Sequence, residues 1–348
     1  MEYESPIVFV LGAGFTRAFD TDSPLLYCDI NLPHLINKYK EFKGVKKVLE
    51  QLEIKNGLIN IEKLMSRLYS AMPYDDDFLT EGERQILYAD IKDVFIKQIM
   101  AIDCEQQKQS ILTKFARYVV KNKATCITFN YDDLLDKALF NSHFGNRLDN
   151  HFSLDSWTPM RGYGFYIDTA RSLTGNGSGT SSRSKTLILK MHGSINWFPK
   201  RGYKEPYPMD SIVHMQNWWP IDTTDDGDVF HHYEPSPIII PPVFDKSMLG
   251  GNSIFRLIWS KAFNLLNSAK IVIFIGYSFP DTDFTVINLF KEALYNKPDK
   301  NIYIINKGSD INRRELLISR YKTILAQYSD KNFEFMDAFE WLRSNIDN

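Results

Sequence analysis

Cysteine is scarce in this chain: Cys28, Cys104 and Cys126 are the only three in 348 residues. They are odd in number, far apart and form no CxxC, so neither a disulfide framework nor a cysteine zinc site is expected. No apolar run approaches the roughly 20 residues that a membrane helix needs. The N-terminus carries Glu2 and Glu4 and no basic segment, which does not read as a secretory signal. Excess charge is missing too. A net charge of -2 gives no sign of a general nucleic-acid or membrane-surface binder and leaves a local basic patch open. The expectation is a soluble cytoplasmic protein with no membrane and no direct nucleic-acid contact.

What the chain does have is core-forming material: 44% of its residues are hydrophobic and 14% aromatic, which argues against disorder. The leading stretch is Pro6–Phe19. Ile7 to Val10 reads as a buried parallel strand, Gly12-Ala13-Gly14 as a tight turn, and Phe15 to Phe19 as the start of a helix. A strand, a Gly-x-Gly turn and a helix N-terminus form an anion site, because backbone N–H groups can approach a phosphate closely. Arg17 stands where the dinucleotide fingerprint has its third glycine, and a tight turn without ligand is the competing reading.

Residues 31–118 hold few glycines, and segments such as 61–72 and 90–102 space apolar residues three and four apart. This block reads as a helical insertion, broken near Met72 to Asp77. Strand Thr125 to Phe129 then precedes Asn130 and Asp132, with a helix face at Leu134, Leu135, Ala138 and Leu139. Those two polar residues sit where open α/β sheets bind ligands, and helix capping is their other use. From Gly162 to Ser184, with the glycine- and serine-rich 172–185 at its centre, the chain reads as a flexible surface loop, a lid that orders on ligand binding being the other reading. Strand Leu187 to Met191 ends in His192-Gly193-Ser194. At that place His192 is suited to act as a general base. His34, His143, His151, His214, His231 and His232 lack such a setting, and adjacent His231 and His232 diverge without a carboxylate to complete a metal site.

Residues 200–235 read as an irregular insertion in which Trp218 and Trp219 pack a loop. A short strand between prolines is expected in 235–247, then a helix from Ser253 to Asn267. Strand 271–275 leads to Gly276-Tyr277-Ser278 and a helix near Asp281. Strand Ile302 to Ile305 leads to Asn306 and a helix from Ile311, and Phe333 to Met336 is a last strand. Alternating strands and helices give an α/β fold: a doubly wound, Rossmann-like parallel sheet with right-handed crossovers, in one domain over 1–348.

At these residues the sequence resembles the sirtuin (silent information regulator two) NAD-binding fold. GAGFT matches the family's GAG-Ser opening, with Thr16 for serine. TFNYD keeps Thr128, Asn130 and Asp132 of its Thr-Gln-Asn-Ile-Asp, and MHGS supplies its His-Gly. GYSFPDTD stands at its Gly-Thr-Ser, and Asn306 at its adenosine-side asparagine. Deacylase sirtuins carry a four-cysteine zinc module between the His-Gly and Gly-Thr-Ser motifs. Here that interval has no cysteine, so no zinc is expected. The wording FNYDDLL, HGSINW and GYSFPDTD is similar to bacterial sirtuin-like proteins of antiphage defence, which hydrolyse NAD+ to nicotinamide and ADP-ribose.

The resemblance implies NAD+ as substrate, with Asn130 and His192 catalytic, Gly12, Ala13, Gly14 and Thr16 at the pyrophosphate, and Phe15 among the cofactor-binding residues of the same turn. It implies Asp132 at the nicotinamide carboxamide and Gly276, Ser278 and Asn306 at the adenosine. It further implies control by homo-oligomerisation or by a separate partner such as a HerA-like ATPase. A non-catalytic NAD or ADP-ribose sensor and a deacylase or ADP-ribosyl transferase are the other readings. NAD and NADP are not distinguished, because no acidic residue can be assigned to the adenosine ribose.

Overall fold

Ile7–Leu11 is an unbroken apolar run and all five residues are buried, the pattern of a strand covered on both faces. In a computed structural model of the chain it is one of the two central strands of a six-stranded parallel sheet. The structure describes residues 7–23, 27–144, 157–169, 185–204, 206–208, 210–214, 236–246, 248–280, 283–295, 297, 299–325 and 332–346. The segment 172–184, His151, Trp218, Trp219, His231, His232 and Asp281 lie outside the described residues.

In chain order the strands are β1 (Ile7–Leu11), β2 (Tyr27–Cys28), β3 (Ile54–Lys55), β4 (Leu58–Asn60), β5 (Thr125–Thr128) and β6 (Asp168–Thr169). They continue with β7 (Leu187–Lys190), β8 (Trp197–Pro199), β9 (Ile212–His214), β10 (Ile271–Ile275), β11 (Asn301–Ile305) and β12 (Phe333–Glu334). Among the described residues the helices of five residues or more begin with α1 (Ala13–Phe19), α2 (Leu32–Lys38), α3 (Lys43–Glu50), α4 (Ile61–Tyr69), α5 (Glu81–Met100), α6 (Gln109–Lys121) and α7 (Leu134–Phe144). After these come α8 (Ser253–Ser268), α9 (Phe284–Leu294), α10 (Ile311–Ile324) and α11 (Ala338–Asn345).

The large sheet runs β12-β11-β10-β1-β5-β7, which by chain order is the doubly wound sequence 3-2-1-4-5-6. Its register aligns the last residues of five strands in one row: Lys190, Thr128, Leu11, Ile275 and Ile305 are neighbours in turn. Residues just past that row therefore share one edge. The chain reverses between β1 and β10, the place where such sheets open a ligand crevice.

The chain divides into two units. One holds the large sheet with 1–21, 103–239 and 249–348; β6, β9 and β8 add a small sheet to it. The other holds 22–102 and 240–248, with the antiparallel sheet β2-β4-β3 and helices α2 to α5. The expected helical block of 31–118 overlaps most of this second unit, but α6 belongs with the large sheet. Within it α5 begins at Glu81 under a capping box of Thr80 and Glu83, a Thr-x-x-Glu signal that apolar spacing alone misses.

The strand expected in 235–247 does not form: Ile239 makes a single bridge to Gly193. Prolines at 237, 241 and 242 bracket three isoleucines and cannot donate to a ladder. Within 200–235, read as irregular, β9 instead pairs antiparallel with β8. All three cysteines are buried and free. Burial pushes the Cys28 thiol up to about 12 and the Cys104 thiol up to about 11. No described helix is long and apolar enough to cross a membrane.

Candidate functional site

The β1–α1 turn is built by backbone contact with the end of β10. The Gly12 N–H donates to the Ile275 carbonyl at 3.1 Å, and the Gly14 N–H to the Gly276 carbonyl at 3.0 Å. A Cβ on Gly12 would lie 2.6 Å from the Gly276 oxygen. One on Gly276, whose φ is +65°, would lie 2.3 Å from the Phe15 nitrogen. These glycines let two strand ends touch. Of the turn's amides, Gly12, Gly14 and Phe15 donate within the protein, the last to Gly12 at 2.8 Å. Ala13, the first helical residue, is exposed. The Phe15 side chain is core, packed on Phe19 and Phe115 at 5.2 and 5.5 Å.

From the neighbouring strand, the Asn130 amide Nδ2 donates to the Gly12 carbonyl at 2.9 Å and to the Thr16 hydroxyl at 2.8 Å. Thr16 in turn donates to Asp132 Oδ2 at 2.7 Å. Gly12 offers only an acceptor, so Asn130 must present its NH₂ there. That leaves its Oδ1 as the remaining acceptor of the amide. The Leu134 N–H donates to Asp132 Oδ1 at 3.2 Å, so Asp132 also serves the start of α7. Of the two uses expected for Asp132, this bond is the helix-capping one. Burial raises the Asp132 carboxyl above its usual range, opposed by the Lys190 charge, the Thr16 hydroxyl and the Leu134 N–H.

Behind this turn lies a polar network that sequence reasoning missed. Lys190, at the end of β7, is fully buried and donates to the Asp132 carbonyl. Its ammonium lies 3.2 Å from Asp136 Oδ2. Tyr163 donates to the other Asp136 oxygen, and its hydroxyl is 3.0 Å from His214 Nε2 and 3.4 Å from the Asn196 amide. Burial raises Asp136, with Lys190 opposing. Burial, reinforced by Asp136, holds Tyr163 well above its ordinary value. Burial, and then the Lys190 charge, holds His214 well below the usual histidine value. One signal was available: a lysine closing the otherwise apolar buried strand LILK.

His192 is buried among rings, meeting Phe129 edge-on at 5.5 Å, with Tyr131 at 6.2 Å and Trp259 at 6.4 Å. Gly193 has φ +83°, and a Cβ there would lie 2.2 Å from the Ile238 oxygen. Its lack of a side chain serves that backbone approach. Phe129 also stacks on Tyr277 at 4.6 Å, linking the His192 side of the edge to the β10 side. There Asn306 Nδ2 donates to the Tyr277 carbonyl at 2.7 Å, and the Tyr321 hydroxyl donates to the same oxygen at 2.7 Å. Ser278 follows, half-buried.

Gly12, Thr16, Asn130 and Asp132 are therefore joined by hydrogen bonds, Gly14 and Gly276 by backbone contact, and His192 through Phe129. Asn306 faces the backbone of Tyr277. Among the described residues no group of three or more His, Cys, Asp or Glu is placed to hold a metal.

The SIR2-like domain family model matches residues 124–326, more than half of the chain, and the chain belongs to that family. The search of curated proteins found no match. Among solved structures, a Sir2 homologue variant with ADP-ribose is 11% identical, covering 98% of this chain and 90% of its own at a TM-score of 0.41. A Sir2 homologue bound to NAD is 12% identical, covering 98% and 87%, with a TM-score of 0.39. Sir2 with an inhibitor and 2′-O-acetyl-ADP-ribose is 12% identical, covering 97% and 91%, with a TM-score of 0.37.

Proposed function

We propose that the chain is a NAD+ glycohydrolase that cleaves NAD+ to nicotinamide and ADP-ribose, as the NAD-depleting effector of a bacterial antiphage defence system. The observation that carries this reading is the hydrogen-bonded chain from Asn130 through Thr16 to Asp132, beside the switch between β1 and β10. With its NH₂ committed to Gly12 and Thr16, Asn130 keeps Oδ1 as its remaining acceptor. Breaking the C1′–nicotinamide bond develops oxocarbenium character on the ribose, and water then adds at C1′. Asn130 Oδ1 orients a ribose hydroxyl or that water, and His192 accepts its proton.

Asp132, whose oxygens already accept from Thr16 and Leu134, seats the carboxamide of the leaving group. The exposed Ala13 amide, with Gly12, Gly14 and Thr16 shaping the turn, faces the pyrophosphate. Gly276, Ser278 and Asn306 form the adenosine side. The absence of cysteine between His192 and Gly276 favours hydrolysis over deacylation in this reading. In the same reading the unit of 22–102 is an insertion in one NAD-binding domain, and self-association or a HerA-like ATPase controls turnover.

The test is NAD+ consumption by the purified protein beside Asn130→Ala and His192→Ala, with nicotinamide and ADP-ribose quantified. Each substitution is expected to slow hydrolysis by about 10²–10⁴-fold. Full hydrolysis in both variants would overturn the assignment. Tight NAD+ binding without turnover by the wild type would make the site a sensor instead.

A further inference from the structure

Lys190 and Asp136 are both about 1% exposed at their side chains, with nitrogen and oxygen 3.2 Å apart. Such a pair is a poor source of stability. Desolvation of both charges offsets their attraction, and well-packed apolar residues of similar volume often do as well or better. What a buried ion pair does supply is direction.

Lysine has three donors. One meets Asp136, and another meets the backbone carbonyl of Asp132. Since Lys190 is the register neighbour of Thr128, its ammonium reaches past the end of β5 to the first residues of α7. Asp136 is held from its far side by the Tyr163 hydroxyl, and the Tyr163 ring is wedged between Trp157 at 5.4 Å and Trp197 at 5.0 Å. The turn carrying Asn130 and Asp132 is thus gripped by Thr16 on one side and by Lys190 on the other.

We propose that Lys190 and Asp136 form a positioning pair that fixes the backbone of the Asn130–Asp132 turn and so aims the Asn130 amide oxygen. What that oxygen then does rests on the hydrolase reading above; the positioning itself does not.

Single substitutions leave one buried charge alone and endanger the fold. The experiment therefore replaces both, as Lys190→Met with Asp136→Leu. The expected result is a Tm near that of the wild type with a loosened turn. The Asn130 amide, which donates to Thr128 Oγ1, and the Leu134 amide, which donates to Asp132 Oδ1, should exchange hydrogen faster. Amides of β7 should not. A displaced catalytic group of this kind lowers kcat by about 10²-fold, while KM for NAD+ changes far less. If the apolar pair loses the native fold, Lys190→Gln with Asp136→Asn is measured by the same criteria, since it removes both charges and keeps volume.

A folded double variant with wild-type exchange at residues 130 and 134 and wild-type kcat would overturn the positioning and leave the hydrolase reading standing. Faster exchange there, in a protein whose wild type neither binds nor cleaves NAD+, would sustain the positioning and overturn the hydrolase reading.

Discussion

On either side of β1 the sheet ends in different material. Towards β5 and β7 the edge is made of polar side chains bonded to one another: Asn130, Thr16 and Asp132 in front, Lys190, Asp136 and Tyr163 behind. Towards β10 and β11 it is made of backbone contact and rings. Gly276 touches Gly14, Tyr277 stacks on Phe129, and Asn306 and Tyr321 both donate to one carbonyl. In the hydrolase reading proposed above, the first side offers Asn130 Oδ1 as an acceptor and the second sets the shape beside it. Polar side-chain bonding and backbone-and-ring packing are thus divided across the strand where the chain reverses.

The sharpest way to break this division is at Gly276. Its φ of +65° and the 2.3 Å approach of a Cβ to the Phe15 nitrogen leave no room for Gly276→Ala. Overpacking against backbone, added to a left-handed alanine, should cost about 3–5 kcal/mol. The denaturant midpoint measures it, and a variant as stable as the wild type would remove shape-setting from this side.

The parts of this edge that were legible in the sequence are those fixed locally. Ile7–Leu11 and Ile271–Ile275 are apolar throughout because both faces are covered, and Gly12, Asn130, His192, Gly276 and Asn306 follow the ends of five strands, the edge at which open α/β sheets generally bind ligands. Gly12, Gly14 and Gly276 were legible as glycines, but a sequence cannot say that they are needed against each other, across more than 260 positions of chain. The Lys190 network was hidden for the same reason. Asp136 precedes Lys190 and His214 follows it, and only the packing of α7, β7 and β9 brings them together. Asn306 was legible as a polar residue at a strand end, whereas its bond to the Tyr277 carbonyl depends on β10 and β11 lying side by side.

The polar side should also be the side that feels pH. His214 is held well below its ordinary value by burial and by the charge of Lys190, with Tyr163 and Asp136 as its other titratable neighbours. The unfolded chain takes up a proton at this histidine below about 6.5, and the folded chain does not. Stability from this group is therefore present above that pH and is lost as the pH falls towards the depressed folded value, by about 1.4 kcal/mol per unit at most. Thermal unfolding between pH 7.5 and 5 measures the slope. His214→Phe should flatten it, and an unchanged slope would assign the pH response to other groups.

The finest test concerns Asn306, which belongs to the shape-setting side by geometry and to the adenosine by resemblance. The Tyr277 carbonyl has two lone pairs and receives two donors, Asn306 Nδ2 and the Tyr321 hydroxyl, each at 2.7 Å. Removing either donor leaves the oxygen satisfied by the other, so Asn306→Ala and Tyr321→Phe should each cost about 1 kcal/mol. Removing both strands the carbonyl beside a buried aromatic cluster, and the double variant should lose about 1–2 kcal/mol more than the sum. That excess, read from a double-mutant cycle of unfolding free energies, is the signature of a shared backbone brace. Additive costs, together with a raised KM for NAD+ in Asn306→Ala, would move Asn306 to the chemical side, and the division at β1 would then run between side chains of one strand end rather than between halves of the sheet.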